Sequence, residues 1–291
     1  MQNHNSIFHP RRCSVNFQAR SFSHLAFVLV LALAPASIVA AQGTVPSGSF
    51  GFVLNATFSN PSTQGGAAIL GLMNFDGAGN ATGPYTLELG SVGDGQPRTI
   101  TGNFTGTYSS NSDGTGTVSI VLDNGLNLTL AMVIDNRGHS LQLAVTNCSG
   151  STICDPTGAV VSGVGEAEFN GPVHPIHERF LNGSYGLQGT KSSPAPSTEV
   201  GVWSFDGAGN VSISDTFVGA VDGSVQSGTE SGTYSVNCDG TGTITTESGK
   251  TWVFVITNDH SGLLVLQTNR PGNGVLYGIG QQQWPSLAKK F

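Results

Sequence analysis

Two carboxylates near the middle of the chain have the spacing that acid–base chemistry requires. Glu166 and Glu168 stand two residues apart in a segment with the alternation of a β-strand, so both side chains project from one face. Paired carboxylates of this kind carry out glycoside hydrolysis. The second half of the chain has Gln281 and Gln283 at the matching positions, so the pair is not part of a repeated pattern. A solvated strand end is therefore the favoured interpretation, and glycoside chemistry is an alternative.

Metal-ligating residues are scattered rather than clustered. His174 and His177 lie three residues apart before Glu178, but a zinc site needs about three or four ligands and no further His or Cys cluster completes one. Calcium takes about six to eight oxygen ligands, and each Asp-Gly step of the chain offers one carboxylate. Such steps are typical of tight hairpin turns. They begin at Asp76, Asp113, Asp206 and Asp239. We expect no metal and no cofactor.

The cysteines indicate a disulfide rather than a nucleophile. Cys148 and Cys154 bracket a short insertion, which the second half of the chain replaces with residues 270–273. We expect a local disulfide there, as in an oxidising compartment, and two free thiols are the alternative. Cys238 is left over, and it predicts either a free surface thiol or a bridge that joins two copies of the chain. The sequence has no Gly-x-Ser-x-Gly nucleophile elbow, so we expect no enzyme.

The beginning of the chain has the pattern of a secretory signal peptide. Residues 1–24 carry three Arg and no acidic residue, and an apolar run follows over residues 25–34. Small residues end the segment, which predicts cleavage after Ala41. A retained anchor is the alternative, although a membrane span needs about 20 apolar residues. We expect an exported bacterial protein, secreted or held in the periplasm or cell envelope, with no transmembrane segment after cleavage.

The composition excludes several classes of protein. Glycine accounts for 41 of the 291 residues, only 10% of the residues are charged, and the formal net charge is −7. A coiled coil or helical bundle would need far more Ala, Glu, Lys and Leu. A nucleic-acid-binding protein would carry a basic surface, so we expect no nucleic acid as a partner. A Gly-rich, weakly charged β protein remains.

The chain after the signal peptide contains the same pattern twice. Residues 71–80 return as residues 201–210, and residues 106–117 return as residues 232–243. Each copy has the size of a domain. The predicted division is a signal peptide at 1–41, a first β domain at 42–169, a linker at 170–182, a second β domain at 183–284 and a tail at 285–291.

Each copy alternates between apolar and polar residues with a period of two, as strands with one buried face do. The inward residues of one strand, Leu130 and Met132, return as Trp252 and Phe254 in the second copy. The opposite face is more apolar in the second copy, notably at Val255, so we expect a neighbouring domain or a partner to cover it. Turn signals divide each copy into about eight strands. This predicts two tandem antiparallel β-barrel or β-sandwich domains in an all-β protein.

Two motifs of the repeat are shared with known proteins. Gly48-Ser-Phe50 and Gly183-Ser-Tyr185 open the two copies, and both copies carry Gly-Thr-Tyr-x-x-Asn-x-Asp-Gly-Thr-Gly-Thr. The chain resembles repeated β-rich secreted bacterial proteins of unknown function and, more distantly, the lipocalin and avidin-like up-and-down barrels. The resemblance implies a barrel. Lipocalins have Trp in the first-strand motif, where Phe50 and Tyr185 stand here, and no ligand-binding residue of those families maps onto this chain.

These observations favour a non-enzymatic binding or structural module at the cell surface, whose partner is an unknown surface molecule or a glycan. One alternative is a lipocalin-like carrier that holds a small apolar ligand inside one or both barrels. The interior residues that would line such a site are Met73, Phe75, Trp203, Phe205, Trp252 and Phe254. A glycoside-active enzyme that uses Glu166 and Glu168 is the third hypothesis.

Overall fold

The computed structural model describes residues 46–58, 66–90, 97–135, 138–150, 154, 159–167, 176–191, 196–219, 223–257, 260–268 and 274–283. The predicted signal peptide and the predicted tail lie outside these residues. Within the described ranges, no helix has the length and apolar character that crossing a membrane requires.

The described residues form two closed antiparallel barrels of eight strands each. The strands of the first barrel are β1 Ser47–Phe58, β2 Ala67–Asp76, β3 Asn80–Leu89, β4 Arg98–Ser110, β5 Thr115–Leu122, β6 Asn127–Asp135, β7 Ser140–Ser149 and β8 Ala159–Ala167. Those of the second barrel are β9 Asn182–Lys191, β10 Ser197–Asp206, β11 Asn210–Gly219, β12 Val225–Val236, β13 Thr241–Thr246, β14 Thr251–Thr257, β15 Gly262–Thr268 and β16 Leu276–Gln282. The predicted all-β class is confirmed, and both domains are closed barrels rather than sandwiches.

The Asp-Gly steps form the hairpin turns that the sequence predicts. Asp76 Oδ1 accepts hydrogen bonds from the backbone N–H groups of Ala78 and Asn80, at 2.7 and 2.9 Å. Gly77 has a φ of +73°, which a side chain would make unfavourable. Asp206 holds the equivalent turn of the second barrel in the same way. The hydrogen bonds from Asn80 lower the pKa of Asp76, so this carboxylate caps its own turn.

Inward-facing glycines make room for large rings inside each barrel. A Cβ added to Gly242 would lie 2.2 Å from Cζ of Phe254, and one added to Gly71 would lie 2.7 Å from Cε1 of Phe52. Both rings are fully buried. Because an eight-stranded barrel has a narrow interior, a large side chain on one strand requires a small one on its neighbour. This pairing accounts for part of the high glycine content.

A short segment before β9 covers one end of the second barrel, which we call the closed end. It contains a single turn of 3-10 helix, Glu178–Phe180. Ile176 and Leu181 are buried in the same apolar cluster as the barrel interior. The Tyr234 hydroxyl donates to the Leu181 carbonyl at 2.9 Å, which fixes the segment to the barrel wall. These residues belong to the predicted linker, and they pack as part of the second barrel.

The outer faces of the two barrels pack against each other. Leu264, Leu266 and Val255 of the second barrel lie in one buried cluster with residues such as Leu70 and Leu72 of the first. The expectation that the apolar outer face around Val255 is covered is confirmed, and the first barrel covers it.

Glu88 is a buried carboxylate beside this contact. It points outward, because Leu87 and Leu89 on either side face the interior, yet its exposed fraction is 2%. Its neighbour across the ladder is Ala68, a member of the cluster between the barrels. Burial raises the pKa of Glu88 to about 7, and a hydrogen bond from the Thr99 hydroxyl offsets part of this effect.

A matched pair of glycine variants tests the contact between the barrels. A Cβ at Gly51 would lie 2.7 Å from side-chain atoms of Val255 and Thr257, whereas one at Gly186, the equivalent residue of the second barrel, first meets the flexible Gln283 at 3.3 Å. We expect Gly51→Ala to lower the free energy of unfolding by about 1–3 kcal/mol. Urea denaturation should show a much smaller effect for Gly186→Ala. Equal effects would contradict the close contact.

The buried Glu88 predicts a specific dependence of stability on pH. Its pKa rises from an ordinary 4.5 to about 7 on folding, so the folded protein binds this proton more tightly than the unfolded chain. The free energy of unfolding should therefore fall as the pH rises from 4.5 to about 7, by on the order of 3 kcal/mol. Glu88→Gln should abolish this fall and make the protein more stable than the wild type at pH 8. Melting temperatures of both proteins across this range measure the difference, and parallel curves would refute the prediction.

Candidate functional site

The aromatic residues that the sequence placed in the barrel interiors are buried there. Trp203 and Trp252 meet edge to face, with ring centroids 5.0 Å apart. Phe205 packs on Tyr234 in the same way, at 5.1 Å. Four of the six predicted lining residues, Trp203, Phe205, Trp252 and Phe254, share the cluster of the second barrel, and Met73 and Phe75 belong to that of the first. Their proposed role in binding a ligand stays a prediction.

The other candidate sites are not assembled within the described residues. Glu166 is partly buried near the end of β8, where it pairs with Gly51 and Ser140, and Glu168 lies outside the described residues. His177 is exposed, and His174 also lies outside the described ranges. The part of the chain that the structure describes holds no group of three or more His, Cys, Asp or Glu residues that could bind a metal ion.

The predicted disulfide between Cys148 and Cys154 is present. Cys238 is also disulfide-bonded, and no cysteine among the described residues is free. The expectation of a free thiol at Cys238 is therefore wrong. A bridge through Cys238 between two copies of the chain stays a prediction.

The two barrels differ in a systematic way when equivalent strands are aligned. β2 and β10 both end in an Asp-Gly turn, and this places Ser197 at the position of Ala67 and Glu199 at that of Ile69. The exposed fractions are 4% for Ala67 and 7% for Ile69, and 5% for both polar residues. The second barrel thus buries a hydroxyl and a carboxylate where the first buries two apolar side chains.

Other strands of the second barrel also carry polar residues where the first barrel has apolar ones. Thr246 stands at the position of Ile120, and Gln267 at that of Val145, because Gln267 pairs with Trp252 as Val145 pairs with Leu130. Both polar residues are nine-tenths buried. Glu230 stands where Phe104 packs in the first barrel, and Lys191 where Ala56 packs. We call this group of residues the polar end of the second barrel: Lys191, Ser197, Glu199, Glu230, Thr246 and Gln267.

The strand order brings these residues to the same end of the barrel. Neighbouring strands run in opposite directions, so the last residues of β9, β13 and β15 meet the first residues of β10 and β12. Lys191 ends β9, Ser197 begins β10 and Thr246 ends β13. The opposite half of the barrel keeps its apolar character, since Phe205 stands where Phe75 packs in the first copy. At that closed end the exception is Tyr185, which stands at the position of Phe50 and donates its hydroxyl hydrogen to the His260 carbonyl. The polar replacements are therefore concentrated in one half of the interior.

Part of the polar end forms an ordered network. Lys250 Nζ lies 2.9 Å from Glu230 Oε2, and the Ser248 hydroxyl donates to Glu230 Oε1. Burial raises the pKa of Glu230, but the hydrogen bonds from Ser248 and Lys250 outweigh burial and lower that pKa to about 2. Glu230 is therefore a fixed negative charge. An open groove of about 650 Å³ lies beside this network, and it is lined by Asp215 and Glu230 together with exposed residues such as Ser212 and Thr229.

Some buried polar atoms of the second barrel have no hydrogen-bond partner among the described residues. They include Ser197 Oγ, Trp203 Nε1 and Trp252 Nε1. The equivalent residues of the first barrel are Ala67, Met73 and Leu130, none of which has a side-chain hydrogen-bond donor. Each buried polar group without a partner destabilises a fold by about 1–3 kcal/mol.

The polar end is not visible in the pattern that the two copies share. Trp203 and Trp252 are recognisable by their size and their period of two. The polar residues stand out only when the copies are aligned position by position, which pairs Ile69 with Glu199 and Ala67 with Ser197. That comparison is the signal that identifies the site.

Comparison with known proteins assigns no family. No protein-family model and no curated protein matches the chain. Among solved structures, the chain is similar to Rv2717c from M. tuberculosis, with 13% identity over 87% of this chain and 100% of that one, at a TM-score of 0.22. It is also similar to a "putative AttH" from Nitrosomonas europaea, with 9% identity over 86% of this chain and 98% of that one, at a TM-score of 0.27.

Reciprocal substitutions at one matched position test whether the polar end is structural. Ser197→Ala removes a buried hydroxyl without a partner, so we expect the free energy of unfolding to rise by about 1 kcal/mol. Ala67→Ser introduces a hydroxyl at the equivalent apolar position and should lower it by a similar amount. Urea denaturation of both variants gives the comparison. A loss of stability in Ser197→Ala would show that the hydroxyl supports the fold.

Proposed function

We propose that the chain is a non-enzymatic binding module in which the second barrel holds a ligand and the first barrel is a packed scaffold. One observation carries this proposal: several buried interior positions that are apolar in the first barrel are polar in the second, and most of them lie at one end. Polar groups that reduce stability are characteristic of functional sites, because function rather than folding selects them.

A binding role explains these residues better than a purely structural one. The first barrel closes and packs with Ala67 and Ile69 at the positions on β2 that correspond to Ser197 and Glu199 on β10. Ser197 and Glu199 are therefore not required for closure. A ligand that makes a hydrogen bond with the Ser197 hydroxyl would compensate for the burial of that hydroxyl.

The lipocalin-like alternative, a carrier of a small apolar ligand, has less support. The apolar half of the second barrel is filled by its own rings, among them Trp203, Phe205 and Phe254, and the closed end is covered by Ile176 and Leu181. A ligand that reaches the interior from the opposite end meets the polar end first. A polar ligand matches these surroundings better than an apolar one.

Absence of catalysis and export from the cell are also part of the proposal. Glu166, the described member of the carboxylate pair, lies in the first barrel, whereas the polar end lies in the second. The disulfide between Cys148 and Cys154 supports an oxidising compartment, as does the predicted signal peptide. A glycan or another cell-surface molecule remains the kind of partner that we propose.

Native mass spectrometry of protein recovered from the medium or periplasm, without refolding, tests the proposal. We expect an additional mass that denaturation removes. Gly189 stands at the position of Leu54, and a Cβ added there would lie 3.4 Å from Glu199 Cβ and Leu276 Cδ1. Gly189→Ala should therefore fit and retain the additional mass, whereas the longer side chain of Gly189→Leu must displace Glu199 or Leu276 and should abolish it. A bare mass in the wild type, or an additional mass that persists in Gly189→Leu, would contradict the proposal.

A further inference from the structure

We infer that the ligand of the polar end is a neutral, hydroxyl-rich small molecule such as a mono- or disaccharide, recognised by the indole N–H groups of Trp203 and Trp252. This inference rests on the proposed binding function and specifies its ligand. Three properties of the site support it: the kinds of hydrogen-bonding group, the balance of charge, and the path from the polar end to the two indoles.

The polar end and the indole pair combine groups that only donate with groups that only accept. An indole N–H donates, as at Trp203 and Trp252, whereas an ionised carboxylate such as that of Glu230 accepts. A carbonyl or ether oxygen of a ligand could match the donors alone, because it only accepts. A hydroxyl group both donates and accepts, so a ligand with several hydroxyl groups can match both kinds at once.

The charges at this end disfavour an anionic ligand. Three carboxylates line the adjoining groove, from Asp215, Glu230 and Glu247, in addition to the buried carboxyl group of Glu199. Two ammonium groups accompany them, from Lys191 and Lys250. An acidic ligand would meet a net negative charge in surroundings of reduced dielectric constant, where like charges repel strongly. A neutral ligand avoids this repulsion.

The indole pair lies within reach of the polar end. Along β10, the inward position between Glu199 and Trp203 is Gly201, so no side chain of this strand separates the two residues; the neighbouring strand approaches closely there, since a Cβ at Gly201 would lie 2.7 Å from the Ser214 carbonyl oxygen. Gly189 on the neighbouring strand replaces a leucine of the first barrel. Trp252 pairs directly with Gln267, a member of the polar end. The indole N–H groups are buried and have no hydrogen-bond partner among the residues that the structure describes, so an acceptor on the ligand would satisfy them.

Nuclear magnetic resonance of the indole N–H groups of the full exported chain tests the inference. The chain has three tryptophans, and each gives one signal, so Trp203→Phe and Trp252→Phe assign the two interior signals. The probes are a set of neutral mono- and disaccharides, gluconate as an anion, and octanol as an apolar molecule. We expect one or more of the sugars to shift both interior signals in the wild type and in Gly189→Ala, and none to shift them in Gly189→Leu.

The variants separate recognition from folding. Each Trp→Phe change keeps an aromatic ring and removes one N–H donor, so we expect a loss of affinity of about tenfold for the sugar. Ser197→Ala should also weaken binding. We expect this variant to fold, because the first barrel has alanine, Ala67, at the equivalent position. If both Trp→Phe variants bind the sugar as the wild type does, the assigned role of the indoles is wrong.

The outcomes also distinguish the inference from the proposed function. A shift with gluconate or octanol, and with none of the sugars, would overturn the inference and leave a binding module. An additional mass in the native spectrum together with no response to any sugar would have the same meaning. A bare native mass together with no shift for any probe would overturn both.

Discussion

Closure of the sheet is the constraint on which the rest of each barrel depends. When eight antiparallel strands close, every second residue faces one narrow interior, and the side chains there must fill it together. Gly242 beside Phe254 and Gly71 beside Phe52 show how the volume is shared between neighbouring strands. A change in side-chain volume at one inward position therefore requires a compensating change at another. Without it, the interior is left with a gap or with an unpaired polar group. The differences between the two copies are informative for this reason.

The interior of the second barrel differs from that of the first mainly in one half. Its closed end keeps aromatic residues in the places where the first barrel has them, and the segment from Ile176 to Leu181 covers it. The other half combines a missing leucine side chain at Gly189 with a buried hydroxyl at Ser197 and a buried carboxylate at Glu199. The first barrel also buries a hydroxyl, that of Tyr85, but this hydroxyl has a partner because it donates to Asp123 Oδ1 at 2.7 Å. On the proposed function, the first barrel is the scaffold and the second holds the site.

Local patterns in the sequence were sufficient to predict most of the fold. The period of two identified Trp252 and Phe254 as inward residues, and the Asp-Gly steps located the hairpins, because both signals act within a few residues. Closed barrels could not be distinguished from sandwiches, since closure depends on the pairing of β1 with β8, as at Phe52 and Gly165, across more than a hundred residues. Glu88 was missed for a similar reason: it has the sequence signature of a solvent-facing residue, and only the contact between the barrels buries it.

The contact between the barrels joins unlike faces of the same repeat, because the first barrel contributes β1 and β2 whereas the second contributes β14 and β15. A unit that carried both faces could add further copies without end, as head-to-tail assemblies do. The first copy lacks the second face, since Gln142 and Ala144 stand exposed where Leu264 and Leu266 are buried in the second copy. A third copy could therefore not pack on β7 of the first barrel as the first barrel packs on β15 of the second, because Gln142 and Ala144 give β7 no apolar outer face.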